Sequence, residues 1–233
     1  MNRKDELAAN LAAVRERLAA ACADADRDPA EVTLIAVTKT FPASDVALLA
    51  ELGIREVAEN RDQEAAPKAA ECSDLGLTWH FVGQLQTNKA RSVAGYSDVV
   101  HSMDRPQLVT ALSKAAVKAE RTLTCLIQVS LDPDAGQARG GAAPGDVMAL
   151  ADAVAKADGL RLGGVMAVAP AAGDPERAFA RLADVAADLR SAYPAAGIVS
   201  AGMSGDLEHA IRQGATHVRI GTALLGGRQA IVR

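Results

Sequence analysis

Apolar positions in this chain cluster into short runs. In order they are Val32 to Val37, Ile54 to Ala58, Thr78 to Val82, Asp98 to Ser102, Leu123 to Ser130, Leu162 to Val168, Ile198 to Ala201 and His217 to Ile220. Each is short, rich in β-branched or bulky residues and bounded by turn residues, which predicts strands. Between them lie amphipathic stretches of helical period: Asp45 to Glu51, Arg61 to Glu71, Thr87 to Ala94, Arg105 to Glu120, Pro144 to Ala157, Pro175 to Ala192 and Asp206 to Gln213. Strand and helix alternate throughout. Such alternation requires parallel strands, because each crossover carries the chain back over a face of the sheet, and eight such units close into a (β/α)8 TIM barrel. An open doubly wound sheet is the weaker alternative, since no Gly-x-Gly-x-x-Gly follows the first strand. An extra N-terminal helix, about Asp5 to Ala25, carries Leu7, Leu11, Val14 and Leu18 on one face and is expected to pack on the outside or bottom of the barrel.

Composition narrows the class. The 233 residues, 49% of them hydrophobic, suffice for one barrel, and no linker or second boundary is visible, so residues 1–233 read as a single domain. A net charge of -4 with mixed signs gives no footprint for nucleic acid or an anionic membrane surface. No stretch approaches the about 18 apolar residues of a membrane span. The start is charged, without the apolar core of a secretion signal, and three scattered cysteines, Cys22, Cys72 and Cys125, read as buried thiols of a reducing compartment. A cytoplasmic protein is expected.

Candidate chemistry gathers where strands end, the face on which barrels place their sites. The first strand closes in Thr38-Lys39-Thr40. An amine there is partly desolvated, which disfavours the ammonium form and suits Lys39 to attack an aldehyde. Glu59-Asn60, Trp79-His80-Phe81 and His101-Ser102 are expected at the same level. After strands seven and eight come Ala201-Gly-Met-Ser-Gly-Asp-Leu207 and Arg219-Ile-Gly-Thr222, where Ser204, Gly205, Gly221 and Thr222 offer hydroxyls and approachable backbone N–H groups to a phosphate. Alternation turns Val218 and Ile220 toward the helices and Arg219 inward. An aldehyde at Lys39, a phosphate at these loops and a ring nitrogen facing a guanidinium that keeps its proton specify pyridoxal 5'-phosphate, with that nitrogen unprotonated. A zinc site from His80, His101, His209 and His217 is disfavoured by their spacing.

Those stretches, AVTKT at 36–40, EN at 59–60, WHFVGQLQTNK at 79–89, HSMDR at 101–105 and AGMSGDLEHAIRQGATHVRIGTALLG at 201–226, resemble the pyridoxal phosphate homeostasis proteins, which are similar to the alanine racemase N-terminal barrel. The resemblance implies that Lys39 carries the internal aldimine, that Asn60 lies beside the cofactor, that Ser204, Gly221 and Thr222 hold its phosphate and that Arg219 faces its pyridine nitrogen. It also implies a carrier or buffer in vitamin B6 homeostasis that hands pyridoxal 5'-phosphate to apoenzymes, without a committed reaction. The chain departs from the family pattern at Phe41, where a second lysine is common, at Val57-Ala58 in place of Phe-Gly, at Arg61 in place of an aromatic, and at Gln137 and Arg139, where a lysine is frequent. A racemase of this fold needs a tyrosine from an additional domain, whereas Tyr96 and Tyr193 flank helices and the sequence closes at Arg233. A monomer is expected. The alternatives are a slow single-domain racemase with a solvent-exposed His80 or His101 as second acid/base, and a Schiff-base aldolase on a phosphorylated sugar. The Gly- and Pro-rich stretch from Asp132 to Pro144 reads as a lid.

Overall fold

A computed structural model describes residues 2–131 and 140–227; most of the stretch read as a lid, Gln137 and Arg139 included, lies outside the described residues. Eight parallel strands form a closed barrel in sequence order: β1 (Thr33–Val37), β2 (Glu56–Glu59), β3 (Thr78–Phe81), β4 (Val99–Met103), β5 (Leu123–Gln128), β6 (Leu160–Met166), β7 (Ile198–Ser200) and β8 (His217–Ile220). β8 closes onto β1 in register from Thr33 opposite His217 to Ala36 opposite Ile220. Two predicted strands slide: β2 begins at Glu56 rather than Ile54 and β6 at Leu160 rather than Leu162. Apolar content alone places a strand end poorly, because the neighbouring turn packs apolar residues too.

The helices are α1 (Arg3–Asp24), α2 (Ala43–Glu51), α3 (Asp62–Glu71), α4 (Ala90–Tyr96), α5 (Pro106–Lys118), α6 (Val147–Ala155), α7 (Pro175–Ala192), α8 (Leu207–Arg212) and a single turn, α9 (Thr222–Leu225). Starts predicted at Thr87 and Pro144 are 3-10 turns leading into α4 and α6. α1 begins with a capping box, the Asp5 N–H donating to Asn2 Oδ1 at 2.9 Å and the Asn2 N–H to Asp5 Oδ2 at 3.3 Å. Its apolar face, including the fully buried Leu7, packs with Leu207, Ile211, Leu224 and Leu225 of α8 and α9. The predicted extra helix thus lies on the outside of the barrel, beside the short α9.

Strand alternation separates the helix-facing shell from the lumen. Val57, Trp79, Val218 and Ile220 join one shell cluster, and Phe81, Val100, Ile127, Val165 and Val199 join the other. The lumen's apolar residues form two small separate clusters, one holding Ile35, Val37 and Ala58 and one holding Val99, Leu126 and Met166. Buried polar residues, among them His80, His101, Ser200 and Arg219, belong to neither.

Candidate functional site

Lys39 leaves the end of β1 in a tight turn closed by the Phe41 N–H donating to Thr38 O at 3.1 Å. The next residue, Thr40, has φ 69°, a left-handed backbone that costs a β-branched side chain about 1–3 kcal/mol and persists only when its surroundings hold it. Here they do. The Thr40 N–H donates to Glu64 Oε2 at 3.1 Å, and Lys68 of α3 reaches beneath the turn to donate from Nζ to Thr38 O at 2.9 Å. Lys68 also pairs with Glu59, whose Oε1 accepts from the Thr38 hydroxyl at 2.7 Å. Glu59 therefore points to the helix side, not into the site as its position beside Asn60 suggested. Burial pushes its carboxyl up, and Lys68 and Thr38 offset only part of that rise.

Beside this turn, since β8 pairs with β1, the loops after β7 and β8 meet. The Ala223 N–H donates to Ser204 Oγ at 3.4 Å, and the Met203 N–H donates to Asp206 Oδ1 at 2.6 Å. Arg17 of α1 steadies this loop by donating from Nη1 to Ser204 O at 2.6 Å while paired with Glu208. α9 starts at Thr222, so its first N–H groups have no acceptor within the helix. Arg219, 4% exposed, donates from Nη1 to Ser200 Oγ at 2.7 Å and from Nη2 to Ala167 O at 2.8 Å. Burial lowers its pKa to about 10, with the charge of Asp206 acting in the other direction, so it remains a cation at neutral pH.

Lys39, Asn60, Ser204, Gly205, Arg219, Gly221 and Thr222 all line one cavity of about 430 Å³, a size typical of small-ligand sites. The amine, the guanidinium and the hydroxyl-bearing loops border one space, with Val37, Val82 and Met166 supplying apolar wall. Sequence reasoning missed that wall, since an apolar residue at a strand end carries no chemical signature. Gly83, just past the end of β3, lines the cavity too. A Cβ at Gly83 would sit 2.0 Å from Asn60 O, so the β3 loop presses on the backbone that presents Asn60. Gly83→Ala is expected to displace Asn60 and to lower stability by about 1–3 kcal/mol in urea unfolding; an unchanged midpoint would show that this loop can simply shift.

His80 and His101 do not lie at the level of Lys39. His80 is 3% exposed and His101 fully buried, and neither lines the cavity, which removes them as solvent-exposed acid/bases. The phenol of Tyr96 is buried away from the cavity, and that of Tyr193 bonds Asp152. Burial holds the His101 pKa well below its usual value, with His80, Arg219 and His217 adding to the effect. Burial likewise lowers His217 to about 4, with the charge of His80 in the same direction and Glu56 opposing. A histidine with a depressed folded pKa binds its proton more readily when unfolded, so folding loses stability as pH falls from about 6.5 to about 4. For His217 the loss is expected to reach about 2–3 kcal/mol, and urea midpoints of the chain and of His217→Asn should converge toward pH 4. Parallel pH profiles for the two would sink this assignment.

The family model of the alanine racemase N-terminal domain matches residues 5–229. The pyridoxal phosphate homeostasis protein of Mycobacterium tuberculosis is 45% identical over 98% of this chain and 95% of its own length. That of Escherichia coli is 40% identical over 96% of this chain and 97% of its own. Among solved structures, PipY of Synechococcus elongatus with PLP bound superposes with a TM-score of 0.82 at 34% identity, covering 94% of this chain and 100% of that one.

Proposed function

The chain belongs to the pyridoxal phosphate homeostasis proteins of the alanine racemase N-terminal domain family, and on that premise we propose that it binds pyridoxal 5'-phosphate reversibly as a carrier or buffer, without a committed reaction. The observation that carries this reading is the convergence of Lys39, Arg219 and the Ser204-Gly205 and Gly221-Thr222 loops on one cavity. When bound, the cofactor supplies an aldehyde carbon for a lysine amine and a pyridine ring that takes up electron density.

The chain's own residues fit that group. Lys39 presents its amine from a turn braced by Lys68 and Glu59, so the backbone that carries it is held by buried structure below. Two N–H groups of Arg219 are spent on Ser200 and Ala167, and the others can donate to a ring nitrogen; a guanidinium does not surrender a proton to that nitrogen, which stays unprotonated. The hydroxyls of Ser204 and Thr222, with backbone N–H groups at Gly205 and Gly221, suit the phosphate, and Asn60 borders the same space. Val37, Val82 and Met166 exclude water from one wall.

A racemase would need a second acid/base across the ligand, and both tyrosines of the chain are placed elsewhere. This supports a non-catalytic protein that releases its cofactor to apoenzymes and works as a monomer. Three buried free thiols accord with a reducing compartment such as the cytoplasm, and among the described residues no helix is long and apolar enough to cross a membrane. The test is spectroscopic. Addition of pyridoxal 5'-phosphate is expected to produce a visible band, transfer to an added apoenzyme should restore that enzyme's activity, and L-alanine should not be racemised. Failure to take up the cofactor would overturn the binding reading, and rapid racemisation would overturn the carrier reading.

A further inference from the structure

Arg219 is a buried cation, and no carboxylate lies within ion-pair distance of it among the described residues. What reaches it instead is a line of side chains across the lumen. Glu56 Oε2 stands 2.6 Å from His80 Nε2, His80 Nδ1 stands 2.7 Å from His101 Nε2, His101 Nδ1 stands 3.1 Å from Ser200 Oγ, and Ser200 Oγ stands 2.7 Å from Arg219 Nη1. The members come from β2, β3, β4, β7 and β8, so the line crosses the barrel rather than following one wall. His101 and Ser200 are fully buried, while the Glu56 side chain keeps 28% of its exposure.

With neutral imidazoles, the two ends fix the direction of every hydrogen bond. A guanidinium only donates and a carboxylate only accepts. Glu56 is such a carboxylate at neutral pH: burial works against its ionisation, but the hydrogen bonds of His80 and Thr78, with the positive charge that His80 and His217 can carry, outweigh it and leave the pKa below the usual value. Arg219 therefore donates to Ser200, whose hydroxyl donates to His101 Nδ1. His101 then carries its proton on Nε2 and donates to His80 Nδ1, and His80 carries its own on Nε2 and donates to Glu56. The opposite tautomers would aim an imidazole lone pair at the carboxylate 2.6 Å away. A doubly protonated His80 would add a second cation to a lumen that already holds Arg219. His217, which feels the charges of His80 and Glu56, and Asp206, whose charge is felt at Arg219, are the other titratable groups facing the line.

We propose that Glu56, His80, His101 and Ser200 form a one-way chain of hydrogen bonds that holds Arg219 and carries the influence of a carboxylate across the barrel to the cavity, which makes them positioning residues of the site. Both imidazoles are neutral Nε2–H tautomers. The consequence for a ligand rests on the reading that Arg219 faces the ring nitrogen of pyridoxal 5'-phosphate; the chain itself does not.

The experiment uses the full-length protein labelled with 15N-histidine, first without cofactor. At pH 7.5 His80 and His101 are expected to show a protonated Nε2 and an unprotonated Nδ1, and in Ser200→Ala the His101 Nδ1 resonance should shift as it loses its hydrogen-bond donor. With cofactor added, Glu56→Gln keeps the hydrogen bond but removes the charge, so the pH midpoint of the visible band should fall by several tenths of a unit. A His101 protonated on Nδ1, or an imidazolium at His80, overturns the chain. Correct tautomers with an unmoved midpoint in Glu56→Gln overturn its role at the site. If no visible band forms at all, the cofactor reading fails, and the nitrogen shifts alone decide the chain.

Discussion

Lys39→Ala is expected to abolish covalent retention of pyridoxal 5'-phosphate: after borohydride reduction and proteolysis the pyridoxyl mass found on the Lys39 peptide disappears, and the visible band of the loaded protein disappears with it. The structure makes this an all-or-none effect because no second amine can take over. Lys39 is the one lysine lining the described cavity. Lys68, beneath the same turn, is 8% exposed, and its Nζ is committed to Thr38 O and Glu59. Lys89 faces Asp62 at 3.6 Å. Phe41, two residues on, lines the cavity without an amine. The substitution should spare the fold, since among the described residues the Lys39 side chain makes no ion pair, and the unfolding free energy should stay within about 0.5 kcal/mol. A pyridoxyl mass that moves to another lysine, with the band preserved, would sink the assignment.

Lys68→Met is expected to carry the largest stability cost. It strands Glu59, fully buried, whose Oε2 already has no hydrogen-bond partner and whose Oε1 keeps only Thr38. Removing one member of a buried ion pair costs about 3–5 kcal/mol, which in a chain of this size lowers the melting midpoint by about 10 °C. The raised pKa of Glu59 limits the loss, because the carboxyl can take up a proton instead of remaining charged. The double variant Glu59→Gln, Lys68→Met should recover most of it, since an unpaired charge costs more than a missing pair. Because Lys68 also holds Thr38 O, the single variant should weaken cofactor binding as well as stability. Equal stability of the single and double variants would show that the pair is not what braces the Lys39 turn.

Much of the candidate site was legible before the fold was in view. Lys39 announces itself as an amine closing an apolar run, and the Ser204-Gly205 and Gly221-Thr222 loops announce themselves by glycines and hydroxyls after the last two strands. Arg219 was readable as inward-facing because strand alternation has a period of two, and the structure places it in the lumen with Val218 and Ile220 outside. Glu59 shows where such reasoning fails. Its place beside Asn60 suggested a site residue, yet the same period of two turns it to the helix side, where only Lys68 from the following helix explains a buried carboxylate.

The sequence by itself determined the alternation of strand and helix, the closed parallel barrel that follows from it, and the residue types at the strand ends. These are local properties: hydrophobic period, turn chemistry and the residue at which a strand stops. Only the tertiary structure decided which buried polar groups meet. His101 and Ser200 are 99 residues apart, and Gly83 presses on Asn60 because two loops converge. Such pairings depend on how far strands stagger as the barrel closes and on which side chains then share a level of the lumen. No periodicity along one strand records that stagger, so the line from Glu56 to Arg219 becomes visible only when the eight strands are closed on one another.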